Sequence, residues 1–298
     1  MASGLLIAIL AGLGGMLGWG LADFFAKKTI DKLGDVPALA WGSVFGTIAL
    51  FLAVAFNFFS SDFRLASPEN GMIWLGLILF GLLQATVNYF VYKGFGKGHV
   101  SILSPVFGSF AGITAVLSIF VFKESVTPVM ALGLVALFLG VLFINTDLNA
   151  LKNNKFGLTH VPGFKEILIA TILAGLWTLF WDKFIGGQDW LSYTFYMYTI
   201  VTIATLLFAV IKKIDLSVGD NSLWKFLVLI GVLEIVAYLA ISWGYSATVN
   251  TSVVALLSGA SALPVVFLAK IFLKEKITKI QTIGSIIVIV GIMLISII

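Results

Sequence analysis

The sequence predicts an all-α polytopic membrane protein of ten transmembrane helices, arranged as two inverted five-helix repeats. Two observations predict it. The chain is 60% hydrophobic and only 11% charged, with a mean hydropathy of +1.10, which is too little charge to cover the surface of a water-soluble protein of 298 residues. It also repeats against itself. Trp74, Gly81, Leu83 and Gly94 recur 150 positions on as Trp224, Gly231, Leu233 and Gly244. Lys123-Glu124, Gly133 and Gly140 recur 151 positions on as Lys274-Glu275, Gly284 and Gly291. Each half holds five apolar stretches, and an odd number makes the second half enter the bilayer from the opposite side. The two expected units are 1–150 and 151–298.

The predicted spans are 5–27, 36–58, 70–93, 99–121, 128–145, 163–183, 190–211, 223–245, 250–272 and 279–297. Nearly all reach the roughly 20 residues that cross the hydrocarbon core at about 1.5 Å per residue. The first is read as a retained helix, because Met1 to Gly4 carries no positive charge and the apolar run outlasts a signal peptide. Turn chemistry marks the connections at Gly34-Asp35-Val36-Pro37, Ser67-Pro68-Glu69-Asn70-Gly71 and Gly186-Gly187-Gln188-Asp189. The longest connection, Asp147 to Pro162, joins the repeats. Thr127 is placed to cap the fifth helix, with Pro128 in its first turn. Pro105 and Pro264 fall inside helices four and nine and should kink each. Gly14 and Gly18, Gly42 and Gly46, and Gly108 and Gly112 are small-residue pairs that let helix backbones approach closely. Nothing in the pattern selects an oligomeric state.

Of the 18 Lys and Arg residues, all but Arg64, Lys123 and Lys183 fall to one side of the predicted topology. The positive-inside rule then puts both termini outside the cytoplasm. Because the lysines punctuate apolar runs without clustering, the net charge of +4 does not suggest nucleic acid. With no cysteine in the chain, disulfides and thiolate metal sites are excluded.

Glu234 stands alone near the middle of the eighth span, where an ionisable group is costly and should face a protein interior or a wet cavity. A carboxylate there can exchange a proton or hold a cation. Under the repeat, Glu234 corresponds to Gln84, Tyr238 to Asn88 and Ser242 to Tyr92. Within each helix these positions are four apart, so each trio forms one polar stripe that Tyr245 continues in helix eight. Two such stripes in pseudo-symmetric places predict a shared central cavity. Trp19 and Trp177 occupy similar places in helices one and six and are the candidate aromatic walls. Helix seven offers Tyr193, Tyr196 and Thr199, and small-residue faces appear at Ser101, Ser104 and Gly108 and at Ser258 and Ser261. Asp23 is expected to pair with Lys27 near the membrane surface, and Asp182-Lys183 to reach the interface. His99 and His160 lack a second ligand at metal spacing, so no metal site or cofactor is expected. No phosphate-binding loop, metalloprotease motif or nucleophile elbow is present, and no enzyme is expected.

The Trp19-Gly20 pair with Lys27 at the helix end, and the Lys-Glu turns after helices four and nine, resemble the drug/metabolite transporter superfamily in its EamA-type branch. The stretch Gly94 to Gly140 with Ser104-Pro105-Val106, and Ile280-Gln281-Thr282-Ile283-Gly284, are similar to the same branch. That resemblance implies an inverted-repeat carrier in a cell membrane, with cytoplasmic termini, moving amino acids, other metabolites or drugs outward. The residues themselves support a secondary transporter working by alternating access. Gln84, Asn88, Tyr92, Glu234, Tyr238 and Ser242 would line its site, with Glu234 as the proton or amine site. The absence of a central Lys or Arg disfavours sugar phosphates. An uncoupled channel or facilitator for small polar solutes is the alternative. The expected partners are a small-molecule substrate, protons and the lipid bilayer.

Overall fold

The computed structural model describes residues 2–61, 65–123, 126–144, 162–272 and 279–296. Among these residues the fold is built from helices α1 (Ala2–Leu33), α2 (Asp35–Ser61), α3 (Gly71–Lys97), α4 (Val100–Gly108), α5 (Phe110–Phe122), α6 (Pro128–Ile144), α7 (Phe164–Ile185), α8 (Trp190–Ile211), α9 (Trp224–Ala247), α10 (Thr251–Gly259), α11 (Ala262–Phe272) and α12 (Lys279–Ser296). Seven helical stretches among the described residues are long and apolar enough to cross a membrane: α1, α2, α3, α7, α8, α9 and the α10–α11 pair. Glu124, Ser125, the second Lys-Glu turn, Arg64, His160 and most of the connection from Asp147 lie outside the described residues.

Local chemistry sets the ends. The first helix does not stop at Lys27 but runs to Leu33, since lysine stems can follow a helix while their ammonium heads reach water. Gly34 ends it at φ 92°, a left-handed conformation that glycine adopts without a side-chain clash. Asn70 caps α3 by accepting from the Ile73 N–H at 3.0 Å. Asp189 caps α8 by accepting from the Ser192 N–H at 2.7 Å. Helix α6 begins at Pro128, and the Thr127 carbonyl accepts from the Ala131 N–H at 2.8 Å.

The expected kinks are full breaks, and one is displaced. Pro264 lies in the first turn of α11. In a continuous helix its ring would meet the Ala260 carbonyl, and the break at Ala260–Ser261 removes that clash. Pro105 does not interrupt α4, which continues to Gly108. The break comes at Ser109, whose hydroxyl donates to the Val106 carbonyl at 2.6 Å and so caps the short helix internally.

Packing repeats when the halves are exchanged. Helix α1 lies along α9, and their counterparts α7 and α3 lie along each other. Helix α2 packs on both α8 and α9, as α8 does on both α2 and α3, and α6 packs on α12. The contact between α1 and α9 is antiparallel, because Lys32 at the end of α1 bonds Asp220 just before α9. The same holds for α3 and α7, where Lys97 reaches Glu166. Both of these ion pairs join the two halves at the lysine-rich face.

Candidate functional site

Four long helices, α1, α3, α7 and α9, converge on one interior chamber, with α4 and α5 meeting it at their break. From α3 come Gln84, Asn88 and Tyr92, and from α9 come Glu234 and Tyr238. Trp19 and Trp177 wall it from α1 and α7. Seven of the eight residues singled out by the repeat therefore share one cavity. Ser242 does not line it. One turn beyond Tyr238, its hydroxyl accepts instead from the Trp181 indole N–H at 3.3 Å, so the polar stripe of α9 rotates away from the chamber before reaching it.

Tyr238 stands at the centre of the aromatic wall. Its ring lies edge-on to Trp19 at 5.7 Å, to Trp177 at 6.2 Å and to Tyr198 at 5.3 Å between centroids. Trp177 is fixed from behind, stacked on Trp181 at 5.3 Å and donating its indole N–H to the Phe80 carbonyl at 3.1 Å. Trp19 also meets Phe110 edge-on at 6.0 Å.

Two polar residues of the site, one lining the chamber and one behind its acid, were not expected there from the sequence. The first is Asp23. It does not pair with Lys27, whose ammonium instead contacts Asp31 at 2.7 Å and the Phe95 carbonyl at 2.9 Å. One turn nearer the helix end, Asp31 reaches the surface, whereas Asp23 faces inward, lines the chamber and accepts from the Ser104 hydroxyl at 3.2 Å. A separation of four residues fits both pairings, so spacing alone could not choose. The second is Tyr198, which donates to Glu234 Oε2 at 2.6 Å from α8. The sequence drew attention to its neighbours Tyr193, Tyr196 and Thr199. In the structure Tyr193 packs on Phe184, Tyr196 on Trp74, and the Thr199 hydroxyl returns to the Phe195 carbonyl.

The chamber is acidic and amide-rich. Among its described lining residues there are two carboxylates, Asp23 and Glu234, and no Lys or Arg. Gln84 donates to Asn88 Oδ1 at 2.8 Å, while Asn88 Nδ2, on a residue only 7% exposed, makes no hydrogen bond of good geometry, although the Asn88 side chain interacts with Tyr238. The chamber's free space is about 40 Å³, room for a few waters.

Comparison with known proteins agrees with this architecture. A protein of known crystal structure superposes with a TM-score of 0.73 at 14% identity, over 96% of this chain and 94% of its own, and shows the fold alone. No curated protein matches the chain in sequence. The apolar helices and the packing that recurs between the halves define a multi-pass membrane protein. The profile of the EamA-like transporter family matches residues 6–146 and 162–297. The chain belongs to that family, within the drug/metabolite transporter superfamily.

Proposed function

We propose that this protein is a secondary transporter for small, positively charged organic amines, bound in the chamber between the two halves. The observation that carries the reading is the pairing of Asp23 and Glu234 on a chamber lined by no Lys or Arg among the described residues. Buried charge needs compensation, and here it must come from protons or from a cationic ligand. Trp19, Trp177 and Tyr238 line the chamber, and the faces of such rings attract an ammonium group. The sequence left amino acids, organic cations and drugs open. A second acid favours ligands of net positive charge over zwitterions.

In this reading ten membrane passes form two inverted units, 1–150 and 151–298, and α4–α5 and α10–α11 are each one broken pass. Contacts that recur on exchanging the halves support it. About 40 Å³ of free space takes waters and not these solutes, which supports movement of the halves on loading, as in a carrier and not in an open channel. Glu234 couples the cycle by binding either a proton or the substrate amine.

Counterflow and pH-gradient-driven uptake in proteoliposomes test this, with n-butylamine and tetraethylammonium as probes and glucose 6-phosphate as the anionic control. Glu234→Gln is expected to abolish gradient-driven amine flux. Unchanged flux in that variant removes Glu234 from coupling, and flux without trans-stimulation favours the channel.

A further inference from the structure

We infer that the chamber is built for a dication, an α,ω-diamine or a longer polyamine, with one ammonium on Glu234 and the other on Asp23. This rests on the reading of the chamber as the substrate site and names the class of amine it takes.

The two acids lie within about one helical turn of the same depth. Asp23 lies ten residues before the end of α1 at Leu33, and Glu234 ten residues after the start of α9 at Trp224. The helices run antiparallel with those two ends at the same face, so both carboxyls sit roughly 15 Å in from that face, to within about a turn. They come from neighbouring helices, whose axes pack roughly 8–10 Å apart. Each acid is held by a separate hydroxyl, Ser104 for Asp23 and Tyr198 for Glu234. A carboxylate has about four acceptor positions, so both keep capacity for an ammonium. One turn deeper than the two acids, the Trp19–Tyr238 edge contact supplies an apolar surface beside them for a methylene chain.

The Gln84–Asn88 pair adds an independent indication of a ligand. Asn88, a lining residue only 7% exposed, has one amide atom that makes no hydrogen bond of good geometry, with the Tyr238 hydroxyl as its one neighbouring partner. The hydrogen bond between the two amides is satisfied equally with both amides turned over. That amide atom is then an acceptor, suited to a further N–H of the same ligand. A monoamine would neutralise one acid and leave the other buried without a counter-charge. A diamine neutralises both, at the cost of expanding the chamber.

Binding to the full-length protein in nanodiscs decides the matter, by calorimetry with 1,4-diaminobutane and n-butylamine and with a series of diamines of increasing length. The diamine is expected to bind on the order of tenfold tighter than the monoamine, with affinity peaking at one chain length. In Asp23→Asn the two ligands should bind alike. Equal affinities in the unaltered protein, or an affinity that rises steadily with methylene count, overturn the dication site and leave the amine-transporter reading intact. If neither amine binds, both fall. The length series needs no variant, so it stands even where Asp23→Asn does not fold.

Discussion

Gly108 and Gly259 meet backbone to backbone, each at the last position of the short helix that precedes a break. They sit 151 positions apart, the spacing of the repeat itself. A Cβ on Gly108 would press into the Gly259 carbonyl, and one on Gly259 into the Gly108 carbonyl and Ala111. The halves touch where their chains break.

That contact leaves no space for a methyl group. Gly259→Ala and Gly108→Ala should each destabilise the protein by about 1–3 kcal/mol, the usual cost of overpacking. Reversible denaturation in mixed micelles measures it. Gly71→Ala is the control, since a Cβ there meets nothing within 4 Å. Equal stability of Gly259→Ala and Gly71→Ala would show that the breaks are not closely packed.

The hydrogen bond from Tyr198 to Glu234 ties α8 to the chamber acid at 2.6 Å. A buried hydrogen bond contributes about 1 kcal/mol net and up to about 3 kcal/mol when the acceptor is charged, so Tyr198→Phe should lower unfolding free energy by about 1–3 kcal/mol. In a Glu234→Gln background the same change should cost clearly less, because the charged acceptor is already gone. A double-mutant cycle reads the difference. Additive losses would mean that the two side chains act independently.

Outside the spanning helices, Asp220 is held down from its ordinary 3.8 to about 2, by hydrogen bonds from Ser222 first and from Lys32 next. A depressed carboxyl contributes stability above its unfolded value and loses that contribution as pH falls through the folded one. The Lys32–Asp220 link should therefore persist at neutral pH and weaken only between about pH 4 and pH 2. NMR titration of Asp220 is expected to show a midpoint near 2, moving partway upward in Lys32→Met because the Ser222 hydrogen bonds remain. An unmoved midpoint would exclude Lys32 as a cause.

Orientation can be read by cysteine labelling, since the chain has no cysteine of its own. The lysine-rich face carries the 212–223 connection, and the opposite face the turn at Gln188. The charge asymmetry predicts that this lysine-rich face is cytoplasmic. In intact cells an impermeant maleimide should then modify Gln188→Cys and spare Gly219→Cys. The reverse pattern would place both termini in the cytoplasm, as the family resemblance implies.

The sequence by itself determined the class. Apolar composition excludes a water-soluble fold, and the recurrence of Trp74 and Gly81 at Trp224 and Gly231 fixes a duplication. Residue period along a helix then put Gln84, Asn88 and Tyr92, and Glu234 with Tyr238, on matching stripes. Those are local properties, set by 3.6 residues per turn and by the cost of buried charge. Only the tertiary structure decided which partner each polar group takes. Asp23 could reach Lys27 by spacing, yet it turns to Ser104 on another helix, while Lys27 turns to Asp31. Tyr198 comes to Glu234 from α8, and Ser242 is claimed by Trp181. Such choices depend on which helices pack together and at what rotation, and that is settled by close contacts such as Gly108 on Gly259, between residues far apart in the chain.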